Sequence, residues 1–183
     1  MLTKSLQPTP DGALSSAFAV HVIGPAWLSS GVSHDRMTTF AVDPHKLEEL
    51  LNHCLGFAKQ MVERHGAFHP FGAVLVPGGT VTAVGADIGE EHPNGADVFR
   101  FLQSAMHSQF QKGEIVAASI ATDVNIPPQY QPPFPDGIRV LLECAGYSRY
   151  IYLPYRVSSG RAEYGEFIPV DVPASICVGG DNG

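Results

Sequence analysis

The chain has 183 residues, 44% of them hydrophobic and 16% charged, the size and balance of one globular domain that buries a core without disulfides or structural metal. Its 11 Lys and Arg against 18 Asp and Glu give a formal charge of -7. The basic residues are scattered singly from Lys4 to Arg161, which argues against binding nucleic acid or an anionic membrane surface. Cys54, Cys144 and Cys177 show no CxxC spacing and fit free thiols in a reducing compartment, so a cytoplasmic location is expected.

Residues 1–42 carry neither helical nor strand periodicity and are expected to form an irregular N-terminal extension. The apolar run from Ala13 to Leu28 is interrupted by Ser15, Ser16, His21, Gly24 and Pro25, so it cannot span a bilayer and makes a poor signal peptide. Phe18, Val20, Val22, Ile23 and Trp27 suit an arm that docks on the domain or a partner. Alternatively, the native start lies at Met37, which leads straight into the first clear helix.

That helix is predicted over Pro44 to His65, with Asp43 as N-cap, Pro44 in the first turn and Gly66 as C-cap. Leu47, Leu50, Leu51, Cys54, Leu55, Ala58, Met61 and Val62 recur at three- and four-residue spacing and form its core stripe. Phe71 to Val76 and Thr80 to Ala86 read as a hairpin turned by Pro77-Gly78-Gly79. A second helix follows over about Gly95 to Lys112, capped by Asn94, with Val98, Phe101, Leu102, Ala105 and Phe110 as its apolar face. Ile115 to Ile126, Ile138 to Cys144 and Tyr147 to Leu153 read as strands, the last two joined at Ala145-Gly146, and Glu166 to Val172 suits a short edge strand. The order α-β-β-α-β-β-β implies an α+β domain over 43–172: one antiparallel sheet of about five strands, with the two helices packed on a face. Residues 173–183 are then a C-terminal tail, mobile from Gly179 onward.

This element order loosely resembles profilin-like and roadblock-like domains. His69-Pro70-Phe71-Gly72-Ala73, Leu142-Glu143-Cys144-Ala145-Gly146-Tyr147 and Leu153-Pro154-Tyr155 together resemble a group of small bacterial proteins with no assigned activity. In that group a His often follows the hairpin Glu, where this chain has Cys144. The resemblance covers roughly Pro44 to Tyr155 and implies a fold and a bacterial origin; it carries over no catalytic residue. Each motif also has a structural reason to be present: Pro70 fixes the entry to a strand, Gly72 allows close backbone approach, and Pro154 is expected to stop pairing after Leu153.

For metal or ligand binding, the residues that stand out are His65 and His69 with the acidic loop of Asp87, Glu90, Glu91 and His92. Because the helix ends near Gly66, the two His do not share a helical face, and a solvated rim is the plainer reading. Glu143 is a general base if buried near His92 or His107, but pairing with Arg139 or Arg149 is the expected arrangement. Cys54 falls on the apolar stripe, whereas Cys144, near a turn, is the more accessible thiol. Pro77-Gly78-Gly79 does not open a helix and no GxSxG occurs, so neither a phosphate loop nor a nucleophile elbow is present, and no cofactor is expected.

The most unusual segment is Ile126 to Gly137, where five prolines surround Tyr130 and Phe134. A stiff loop of this kind presents aromatics at little entropic cost, or folds them back over the sheet. With Tyr147, Arg149 and Tyr155 it suggests a contact surface for self-association or a protein partner. The expected function is therefore a non-catalytic interaction or regulatory module of a bacterial cell. The alternative is a small enzyme or ligand-binding protein with its site between the 87–93 loop and Glu143.

Overall fold

The computed structural model describes residues 42–86 and 94–179. The expectations placed on the N-terminal extension, on the loop Asp87–Pro93 and on the chain after Gly179 lie outside the described residues. Helix α1 runs Pro44–His65, as its pattern predicts. The Asp43 carboxylate accepts the His45 N–H at 2.9 Å, and Gly66 closes the helix at a φ of 77°, a left-handed conformation that costs glycine little. Its buried face is Leu47, Leu50, Leu51, Cys54, Leu55, Ala58 and Val62; Met61 lies at the margin of that stripe and is half-buried.

Strands β1 (Phe71–Leu75) and β2 (Val81–Val84) form the first hairpin, and α2 (Gly95–Gln111) follows. Then come β3 (Ala117–Asn125), β4 (Asp136–Cys144), β5 (Tyr147–Ser158), β6 (Arg161–Tyr164) and β7 (Ile168–Asp171). The α+β class is as expected, but the antiparallel sheet has seven strands rather than about five. Its order is β2-β1-β3-β4-β5-β6, with β7 also paired to β5. The extra pairing comes from the length of β5, whose outer edge holds β7 at Arg149 to Tyr152 and β6 at Tyr155 to Ser158. Pro154 does not end this strand. It sits where β5 changes neighbour, and its carbonyl takes the Gly165 N–H from the β6–β7 connection at 2.8 Å. A residue's N–H and C=O point to the same side of a strand, so the missing proline N–H falls at a gap in the outer ladder.

The two helices lie on opposite faces of the sheet, not on one. Successive side chains of β3 alternate between them. Ser119 meets Cys54 of α1, with 2.9 Å between Oγ and Sγ, while Ile120 joins Leu102 and Met106 of α2 in a buried cluster. Helix α2 buries Val98, Leu102 and Met106, a strict four-residue repeat, and leaves Phe101 half exposed. Val98 and Leu102 are buried as predicted, but Met106 joins them in place of Phe101 and Ala105, so the face is turned by a fraction of the roughly 100° that separates successive residues. Gly72 is what lets α2 sit this close, because a Cβ there would lie 2.5 Å from the Met106 methyl and 2.6 Å from the Ser119 carbonyl. Residues 173–179, set apart above as tail, run back over the α2 side of the sheet, and Ile176 and Cys177 are buried in the same cluster as Leu102. Among the described residues no helix is long and apolar enough to cross a membrane.

Candidate functional site

On β4 the alternation sends Arg139, Leu141 and Glu143 to the α2 side, between Thr122, Ile120 and Ala118 of β3 and Tyr152, Tyr150 and Ser148 of β5. Leu141 is core. The two charged residues flanking it meet very different surroundings.

Glu143 is fully buried and paired with neither Arg139 nor Arg149. Its carboxylate accepts the backbone N–H of Ser175 at 3.0 Å, of Ile176 at 2.7 Å and of Cys177 at 3.0 Å, and the Ser175 hydroxyl at 2.7 Å. From the other side His107 Nδ1 donates to the Ile176 carbonyl at 2.9 Å, because a carbonyl can only accept, and Gln111 Nε2 donates to Val178 at 2.6 Å. Every lone-pair direction of the carboxylate is used to hold residues 175–177, so Glu143 fastens a segment and no proton acceptor is left over. The expected ion pair is overturned. The partner amides lie 32 to 34 residues further along the chain, where no hairpin spacing points.

Arg139 is half-buried, with its guanidinium 4.6 Å from the Tyr150 ring centroid and 5.1 Å from that of Phe99 on α2. Both rings attract the cation through their π faces and restrict where the guanidinium can lie. Its charge also lies beside the cross-strand Tyr152, where it offsets part of the rise that burial gives that phenol's pKa. Its Nε is buried and has no hydrogen-bond partner among the described residues, and neither has Oγ1 of Thr122, the residue paired with it on β3. Thr122 is only 9% exposed. Both line a hollow of about 580 Å³ whose other walls are Phe68, Pro70 and the first turn of α2. Pro70, buried at the mouth of β1, packs beside Gly95 and so sets the distance between that turn and the sheet. Of the other charges lining the hollow, Arg100 is already ion-paired with Asp97. Asp123 accepts the Tyr155 hydroxyl at 2.8 Å, and burial raises its pKa, with nearby Asp136 adding to the rise. His69 is exposed at the rim.

The remaining sequence-derived residues are dispersed. His65 is exposed on the last turn of α1, away from those lining the hollow; Asp87, Glu91 and His92 lie outside the described residues. Among the described residues, no group of three or more His, Cys, Asp or Glu side chains is placed to hold a metal. Tyr130 follows Pro127 in a single 3-10 turn and folds its ring to 5.6 Å from Tyr152, while Phe134 lies under Arg156 at 4.8 Å. Tyr152 and Tyr155 alternate onto opposite faces, and Tyr147 and Arg149 share the face of Tyr155. The five residues proposed as one contact surface therefore divide between the two sides of the sheet. Cys144 is buried, not accessible: burial, and then the adjacent Glu143 charge, push its thiol up to about 11. Cys54 is likewise raised to about 11 by burial, and Cys177 is raised for the same reason.

Sequence reasoning missed Thr122, and saw Arg139 only as a partner for Glu143. One signal was present: Arg139 is a lone cation inside the apolar run Ile138 to Leu142, where a charge needs a reason. No family model matches this chain, and neither a curated protein nor a solved structure matches it.

Proposed function

We propose that this chain is a ligand-binding protein that takes a small anionic molecule in the hollow between the first turn of α2 and strands β3 and β4. One observation carries the reading: Thr122 Oγ1 and Arg139 Nε, cross-strand neighbours, are both buried donors without a partner among the described residues. Leaving such groups unmatched costs about 1–3 kcal/mol each, a cost that an acceptor bound beside them would relieve. The positive end of the 17-residue helix α2 adds to the attraction for an anion.

A thermal-shift screen against small anions tests it, with Thr122→Val and Arg139→Gln as controls. Binding to the folded state raises the melting temperature by mass action. An anion should do so for the wild type and lose the effect in both variants; no stabilising anion, or equal stabilisation of all three proteins, ends the reading. The interaction module built on the proline-rich loop is the weaker proposal, because its residues occupy two faces. It would gain if light scattering gave a dimer that Tyr130→Ala returned to monomer.

A further inference from the structure

Resting on that reading of the site, the geometry points to the class of ligand: we infer that it is a monocarboxylate carried on a flat apolar body, such as an aromatic acid, and not a phosphate. Three features of the hollow lead there. The first is charge. Arg139 is the cation of the wall without an ion-pair partner among the described residues, since Arg100 is ion-paired with Asp97. One guanidinium balances one negative charge; a phosphate dianion would bring a second that no other free cation among the described residues of the wall matches.

The second is shape. The planar guanidinium, 4.6 Å from the Tyr150 ring centroid and 5.1 Å from that of Phe99, offers its N–H groups in one plane, which suits the two coplanar oxygens of a carboxylate, with Thr122 Oγ1 on the paired residue as a further donor. The third is the rest of the wall. Phe68, Pro70, Phe99 and Tyr150 present apolar faces, and a volume of about 580 Å³ holds a ring-sized molecule rather than a bare ion.

The test is calorimetric titration of the full chain with benzoate, benzamide and inorganic phosphate in turn. Benzoate should bind, benzamide at least tenfold more weakly because it lacks the charge, and phosphate not measurably. Arg139→Lys, which keeps the charge but loses the planar fork, should weaken benzoate at least tenfold, and Thr122→Val should weaken it several-fold while the far-ultraviolet circular dichroism of both variants stays that of the wild type. Phosphate binding in preference to benzoate, with loss in Arg139→Gln, would leave the anion site standing and overturn the carboxylate class. Benzamide binding as tightly as benzoate would overturn it too, in favour of an apolar pocket. If none of the three binds and the anion screen is also blank, both this inference and the site it rests on fall.

Discussion

Arg139 and Glu143 point to the same side of the same strand, four residues and roughly 13 Å apart at a strand rise of about 3.3 Å per residue, yet one is finished and the other is open. At the Glu143 end the chain returns to supply three backbone amides and a hydroxyl, and the charge is matched to the last lone pair. At the Arg139 end two donors sit on the wall of a hollow with nothing described to receive them. A buried charge that its own chain satisfies is part of the architecture. Arg139 and Thr122 are where the proposed ligand would complete what the chain does not.

The largest way to break the comparison is at its closed end. Glu143→Ala would leave the amides of 175–177 buried without an acceptor, and should cost about 3–5 kcal/mol in chemical denaturation. A loss below about 1 kcal/mol would show that water replaces the carboxylate. The same substitution should open the thiols beside it: in the native protein Cys144 and Cys177 are buried and held in the thiol form, so alkylation at pH 8 should be slow, and faster in Glu143→Ala than in wild type. Mass spectrometry after timed quenching reads this directly.

At the open end the sign should reverse. Thr122→Val removes a buried hydroxyl that has no described partner and keeps its volume, so the ligand-free protein should gain up to about 1 kcal/mol while ligand binding weakens. A clear destabilisation would mean that the hydroxyl already has a partner. The smallest effect is one of pH. In the unfolded chain Asp123 releases its proton near 3.8, and in the folded protein only at higher pH, because burial disfavours its charge. As pH rises past 3.8 the folded state keeps the proton longer, so stability falls until the folded carboxyl has ionised as well. Asp123→Asn should flatten that decline in melting curves taken across the acid range.

How legible these features are in the sequence follows from how local their causes are. Helix α1 is set by its own caps and repeat, and its bounds can be read without tertiary information. Helix α2 has equally clear ends, but Phe101 and Phe99 both offer an apolar ring, and only the approach of α2 to Gly72 selects the stripe through Val98, Leu102 and Met106. The edge strand expected over Glu166 to Val172 is β7, whereas β6 went unnoticed because it is four residues long and relies on β5 for pairing. The site is less legible still. Thr122 meets Arg139 through the β3–β4 register across a long proline-rich connection, and no local pattern fixes that register. Glu143 was noticed as a carboxylate on a strand, but its role depends on a stretch with neither periodicity nor charge to announce it.

The fastening at Glu143 also bears on the order in which the protein can be made. Domains begin folding while still on the ribosome, at about 5–20 residues per second. Ser175 is synthesised 32 residues after Glu143, so for roughly 2–6 seconds the hairpin carries a carboxylate whose donors do not yet exist. During that interval β4 has good reason not to settle against α2. The α2 face around Glu143 can therefore be completed only once residues 175–177 have been made.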